Sequence, residues 1–324
     1  MESLRGFTSK LLKLSTITIR KIIMRKISLL FINFLVVLLV SCENKKQEQA
    51  SHDIDTITVV GENASGVSLE EVWSSDTTLK TPESVLFDEG RNVLYVSNVN
   101  GNPTDKDNNG FISKVKLDGT IENLEWVTGL SAPKGMGLYN NILYVTDIDK
   151  LVEIDAENGK IVKTHEIPGA GFLNDVFVTG DGVVYFSDSE TNKIHKLENG
   201  TVSLFSDQNL DKPNGLFIKD NTLYLASMGS SDFKAIDLDT KKDTVLATGI
   251  GMGDGVEYVG SGDDFLVSDW EGGIYYISNG KSQKLIDSKE QNVNTADIEF
   301  IPSENLLLVP TFFRNKVVAY KLIK

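Results

Sequence analysis

One cysteine, Cys42, and three histidines are all that 324 residues contain of these two types. A single thiol excludes a disulfide framework. His52, His165 and His195 fall in a polar N-terminal stretch and in strand-like segments. None is near the repeat openings described below, so a Ser-His nucleophilic triad is not expected. Positive charge is also scarce: 32 Lys and Arg face 46 Asp and Glu, a formal net charge of −14. That sign argues against nucleic acid, and against charge-driven binding to anionic lipid. Long apolar runs are missing outside 27–40, so no other segment approaches the ~20 residues that span a bilayer. The glycine-rich run GMGDG at 251–255 precedes a strand and lacks the lysine of a phosphate loop, which argues against nucleotide binding.

The run at 27–40 follows Met24-Arg25-Lys26, the layout of an export signal. Leu39-Val40-Ser41-Cys42 matches a bacterial lipobox, in which the cysteine is lipidated and becomes the new N-terminus. Residues 1–41 are therefore read as a signal peptide. Residues 1–23 read as an upstream extension of it, because Met24 alone begins a signal of normal length. An uncleaved signal anchor is the alternative. The 1–41 segment holds seven basic residues and one acidic, a surplus of six, so its removal takes the charge from −14 to −20. Residues 42–56 begin at the lipidated Cys42 and continue as a polar, flexible tether; residues 57–324 remain for the folded domain. The expected location is the bacterial cell envelope, outside the cytoplasm, with the lipid as the only membrane attachment.

What the chain has in abundance is a repeat. Residues 171–200 read as an Asn174-Asp175 pair, a short apolar run, a Gly-Asp-Gly turn, a second run ending at Asp188, and a third run closed by Asn199-Gly200. Short runs rich in Val, Tyr, Phe and Ile between turn signals are antiparallel strands. The second run recurs as LYVSN at 94–98, LYVTD at 143–147, LYLAS at 223–227, FLVSD at 265–269 and LLVPT at 307–311. The polar residues that open the units stand at 83, 134, 174, 214, 254 and 296, in steps of 51, 40, 40, 40 and 42. A period near 40 with several strands per unit means propeller blades. The expected fold is all-β: a six-bladed β-propeller of four-stranded blades. SLEEVWSS at 68–75 resembles the outer strands of later repeats yet precedes the first blade, and the last blade runs short after Asn315. The N-terminal strand is thus expected to close the last blade, leaving no free edge at the join.

The loop entering each innermost strand lines one mouth of a propeller channel. The residues there are Glu83, Lys134, Asn174, Asn214, Asp254 and Ala296. Two carboxylates and two amides converging on one axis would suit a divalent cation: Ca²⁺ foremost, with Mg²⁺, Mn²⁺ or Zn²⁺ as alternatives. Taken one at a time, Asn and Asp also serve simply as turn residues. Trp73, Trp126 and Trp270 lie at strand positions and are expected to pack between blades.

The Glu83-Ser84 opening of blade one, Leu173-Asn174-Asp175 of blade three, Pro213-Asn214-Gly215 of blade four and Asp254-Gly255 of blade five resemble the senescence marker protein/gluconolactonase (regucalcin-type) family. The likeness covers about 82–324, and the order and spacing of short motifs carry it. It implies a channel that holds one divalent metal, on Glu83, Asn214 and Asp254, and hydrolyses sugar lactones. Asn174 would then contact substrate or a bound water, and Asp254 would double as catalytic general base. The chemistry suits these residue types, because a metal polarises a carbonyl and a nearby carboxylate takes the proton from attacking water. The sequence departs from that pattern in one place. Sugar-lactone members carry a substrate-gripping arginine two places before the Asn-Asp pair, and here that place is Phe172. Lys134 and Ala296 also change the ring, and with Asn174 and Phe172, Lys134 is read as substrate-binding.

Asp105, Asp107 and Asn109 form the D-x-D-x-N-G start of a calcium loop within an insertion at 99–110, but Lys116 occupies the twelfth position, where an EF-hand needs glutamate. An Asx-rich turn, an accessory calcium loop and a lid over the channel are the alternatives. The leading reading is a metal-dependent hydrolase of a lactone or related ester. A non-catalytic propeller that binds a partner protein or glycan is the main alternative, and a lyase on the same scaffold is a third.

Overall fold

A computed structural model describes residues 66–324. The signal segment, Cys42 and the tether lie outside the described residues. Within them the chain forms six four-stranded antiparallel sheets, each a meander of consecutive strands except the last. The innermost strands are Pro82–Asp88, Pro133–Tyr139, Leu173–Val178, Pro213–Lys219, Gly253–Tyr258 and Glu299–Ile301, and they contact one another in cyclic order around a channel. This is the six-bladed propeller that the period near 40 predicts. Among the described residues no helix is long and apolar enough to cross a membrane.

The repeated sequence builds the channel mouth in a specific way. Five inner strands shift register at the same point: between Pro82 and Val85, Pro133 and Met136, Leu173 and Val176, Pro213 and Leu216, and Gly253 and Val256. Such a bulge takes two residues out of the ladder and re-aims them. In every case they are the opening residue of the repeat and its successor. In three of the five the freed backbone N–H is caught by a hydroxyl of the next strand. Ser84, Asp175 and Gly255 donate to Ser97, Ser187 and Ser268 at 2.9, 3.0 and 2.7 Å. The residue after that hydroxyl ties down the loop leading to the mouth. Asn98 accepts from the Lys80 N–H at 2.8 Å, Asp147 from Ala132 at 2.7 Å, Asp188 from Phe172 at 3.0 Å and Asp269 from Met252 at 2.9 Å. The repeated Ser/Thr-Asn/Asp ending of LYVSN, LYVTD and FLVSD is therefore a loop-anchoring device.

Where the inner strands converge, a side chain has no room. A Cβ at Gly215 would stand 1.9 Å from the Asp254 carbonyl oxygen, and one at Gly135 would stand 2.5 Å from the Asp175 Cα. The Asn199-Gly200 hairpin has both residues left-handed, at φ 51° and 75°, as a two-residue type I′ turn demands.

Ser68–Ser74 pairs antiparallel with Val317–Ile323, from Ser68 opposite Ile323 to Ser74 opposite Val318. The sixth blade thus runs 68–74, 317–323, 306–310, 299–301 in spatial order, and the expected closure holds. The apolar core lies between neighbouring blades. Leu79, Val85 and Leu94 of the first blade, for example, pack with Ile301, Leu308 and Val317 of the sixth. Trp126 follows its expectation: it packs against the core shared by the first and second blades, with Met136, Leu143 and Val145 in it, and stacks on Tyr95 of its own blade at 4.9 Å. Trp73 is partly buried against the core between the first and sixth blades.

Candidate functional site

At the mouth, Glu83, Lys134, Asn174, Asn214 and Asp254 form the floor of a cavity of about 80 Å³. All five are buried, and Lys134 has no exposed surface at all. The bulges place them, so five of the six ring residues read from the sequence do come together. The sixth does not. Ala296 is fully buried and does not line the cavity, whereas Phe312, from the loop after 306–310, does.

The floor is cross-linked. Asn214 Nδ2 donates to Asp254 Oδ1 at 2.8 Å. Asn174 Nδ2 donates to Ser189 Oγ at 3.3 Å, whose hydroxyl in turn donates to the Pro213 carbonyl at 2.7 Å. The Asn174 carbonyl accepts from Thr146. Lys134 Nζ donates to the carbonyls of Ala132 at 3.0 Å and Pro103 at 3.2 Å, and lies 4.3 Å from the centre of the Phe172 ring. Two buried oxygens are left over: Glu83 Oε2 and Asn214 Oδ1 have no hydrogen-bond partner. Unpartnered buried acceptors are costly and rare.

Burial dominates the electrostatics. It pushes the Asp254 carboxyl up to about 8, helped by the negative charge of Asp175 and opposed by the Asn214 hydrogen bond. It also raises Glu83 well above the usual carboxylate range; Asp254 adds to that shift and Lys134 opposes it. Lys134 is lowered to about 8 by burial, against the pull of Glu83 and Asp147. Without a compensating cation, two carboxylates here cannot both ionise cheaply at neutral pH.

The channel continues below the floor with carboxylates that the sequence reading passed over. Asp175 and Asp297 follow ring positions, and their side chains are hydrogen-bonded to each other. Asp175 Oδ2 also accepts the Leu216 N–H at 2.6 Å. Asp297 is joined to the first blade, its N–H donating to the Glu83 carbonyl at 3.0 Å. Further along the strands, Glu257 and Glu299 line a wider cavity of about 510 Å³, which reaches up to Asp175 and Asp297. Their signal was a polar residue in an inner-strand segment where the repeats otherwise place Leu, Gly or Phe, legible only once the bulge is known.

The cavity walls also depart from the sequence reading. Trp270 does not pack between blades. It sits in the turn after Phe265–Asp269 and lines the cavity with Phe172, Met228, Phe312 and Pro103. Pro103 belongs to the 99–110 insertion, which therefore reaches the site. The Asp105, Asp107 and Asn109 side chains of that insertion are exposed, and Asn109 donates its backbone N–H and its Nδ2 to the Asp107 carboxylate, at 3.2 and 2.6 Å. That is an Asx turn satisfied from within. Among the described residues no three His, Cys, Asp or Glu side chains cluster as a metal site; the mouth offers two carboxylates and two amides.

No protein-family profile matches the chain, and no curated protein sequence matches it. Many solved structures share its architecture. A gluconolactonase from Xanthomonas campestris superposes with a TM-score of 0.64 at 16% identity, covering 84% of this chain and 96% of its own. A catalytically inactive histidine-to-alanine variant of virginiamycin B lyase from Staphylococcus aureus, with quinupristin, gives 0.56 at 17% identity, covering 79% and 100%. A nidogen/laminin complex gives 0.56 at 16%, covering 67% and 84%. At such identities the likeness is one of fold, and this fold carries hydrolase, lyase and binding roles alike.

Proposed function

We propose that the chain is a metal-dependent hydrolase of a lactone or related ester, of the gluconolactonase-like kind, with its site at the Glu83–Asn214–Asp254 mouth. One observation carries this reading: Glu83 Oε2 and Asn214 Oδ1 are buried acceptors without a donor, beside a second buried carboxylate. Glu83, Asn214 and Asp254 would hold a hard divalent cation, which would give the two orphaned oxygens a partner and let Glu83 and Asp254 ionise. Such an ion, Ca²⁺ foremost, would supply carbonyl polarisation and acidified water. The other roles fall to the chain. Asn214 Nδ2 fixes the orientation of the Asp254 carboxylate, so that its remaining oxygen can take a proton from attacking water. Lys134 spends two of its three donors on Ala132 and Pro103 and keeps one for a substrate oxygen. Asn174 is positioned beside it by Ser189 and Thr146.

No histidine lines either cavity, which favours this reading over a lyase that depends on one. The nidogen/laminin likeness keeps a binding propeller as the second reading, and metal dependence separates the two. Titration calorimetry with Ca²⁺, Mn²⁺ and Zn²⁺ should give a one-site isotherm for the wild type. Asp254→Asn keeps the shape and should lose at least about tenfold in affinity, together with all chelator-sensitive lactone hydrolysis. If the wild type binds none of the three ions, or the variant binds as well as the parent, the site is misassigned.

A further inference from the structure

Resting on the hydrolase reading, we infer that the site takes a small lactone or ester with a planar, unhydroxylated apolar face, an aryl-fused ring above all, and rejects polyhydroxylated lactones. Three independent features of the cavity lead there.

The first is the placement of polar groups. The polar lining residues all come from the bulged inner strands, and the rest of the lining is Phe172, Trp270, Phe312, Met228 and Pro103, which stand outside the strands. More than half of the N–H donors there are engaged: one on Asn214 Nδ2 with Asp254, one on Asn174 Nδ2 with Ser189, and two on Lys134 with carbonyls. A ring carrying several hydroxyls would leave most of them buried against apolar carbon without partners, which is the costly case. A ring with one carbonyl needs polar contacts only at that end.

The second feature is size. The cavity of about 80 Å³ is well below the ~300–1,000 Å³ of sites that enclose drug-sized ligands. It encloses the lactone ring with its reactive carbonyl down, and a fused aryl ring extends from it along Phe312 to the exposed Phe313.

The third is a backbone irregularity. Phe312 is held at φ 40°, in the left-handed region that bulky residues avoid. Neighbouring contacts enforce it: Asn315 N–H donates to the Phe312 carbonyl at 3.0 Å, and Asn315 Oδ1 accepts from the Thr81 N–H of the first blade at 2.8 Å. The conformation turns the Phe312 ring inward, edge to face with Trp270 at 4.6 Å. The next residue, Phe313, is 64% exposed and lies perpendicular to Phe312 at 4.8 Å. Its ring carries the aromatic surface from the wall out to solvent. A wall of edge-to-face rings with a large exposed aromatic at its rim is suited to receiving another flat ring.

The test compares two δ-lactones on the same protein, 3,4-dihydrocoumarin and D-glucono-δ-lactone, each scored as rate enhancement over buffer. It is paired with binding of two unreactive rings, chroman and 1,5-anhydro-D-glucitol, by calorimetry. The expected result is an enhancement at least about tenfold larger for the aryl lactone and measurable binding of chroman alone. Trp270→Ala should raise KM for the aryl lactone about tenfold or more while kcat stays within about threefold, the mark of uniform binding lost. Phe312→Leu, which keeps bulk and loses the aromatic edge, guards against a misfolded alanine variant and should shift KM in the same direction. Equal or greater enhancement of the sugar lactone overturns the substrate assignment and leaves the hydrolase standing. Chroman binding that is lost in Trp270→Ala, with neither lactone hydrolysed, supports the apolar site and overturns the hydrolase. Absence of both hydrolysis and chroman binding overturns both.

Discussion

Lys134 is the residue that most sets this mouth apart from a plain carboxylate-amide ring. A buried ammonium so close to a prospective cation opposes it electrostatically, yet it also draws Glu83 toward its ionised form. The balance predicts separable effects. Lys134→Met keeps the volume and should raise KM for a lactone about tenfold, while calorimetry still finds the divalent ion. Loss of metal binding in that variant would show the ammonium to be part of the ion's support. The carboxylates lower in the channel make a second prediction, about pH. Burial pushes Glu299 up to about 8 and Asp175 up to about 6, against ~4 for such groups in an unfolded chain. The folded protein therefore retains protons that the unfolded chain has released. The stability this confers is complete below about pH 4 and is lost as pH rises through about 6 and then about 8. Cation-free protein should melt at a lower temperature at pH 8.5 than at pH 5, and Glu299→Gln should flatten the slope. A melting temperature independent of pH across that range would contradict the assignment.

The bulged inner strand is the element on which both the channel and the site depend. Gly215 tests it. Its missing Cβ would meet backbone, at the carbonyl of the very residue proposed to carry the general base. Backbone cannot swing aside as a side-chain tip can, so Gly215→Ala should cost about 3 kcal/mol and disturb the Asp254 carboxylate. Gly180→Ala, in open space with nothing within 4 Å of the added atom, is the matched control and should be close to neutral by thermal melting. This element was largely legible in the sequence. The opening polar residue, in four blades a Pro or Gly before it, and in four the Ser/Thr-Asn/Asp ending of the next strand recur at a spacing that only blades produce, so five of six ring residues could be named in advance. The walls were not legible. Trp270, Met228, Phe312 and Pro103 come from turns and an insertion outside the repeat, and they meet only because six blades close into a circle. Ala296 failed for a related reason: its strand is short, without the matching bulge, and a neighbouring loop took its place.

For the whole molecule the decisive feature is the seam between Ser68–Ser74 and Val317–Ile323. Without the first of these strands, the edge of the second is bare and its apolar residues face solvent. A domain lacking residues up to Ser75 should lose cooperative unfolding and aggregate, as chemical denaturation and light scattering would report. A truncated domain that melts like the parent would show that the seam contributes nothing.

The same seam joins the first strand of the ring to its last. Synthesis delivers a chain from its N-terminus, so Ser68–Ser74 waits unpaired while all five intervening sheets are made, and contacts so distant in sequence are slow to form. A product arrested anywhere before Ile323 keeps that strand without its full partner, however well the earlier blades have folded. The architecture thus discriminates between chains that have and have not reached the seam: only one that runs from Ser68 through Ile323 hides both edges, and one arrested earlier leaves a strand exposed to proteases and chaperones.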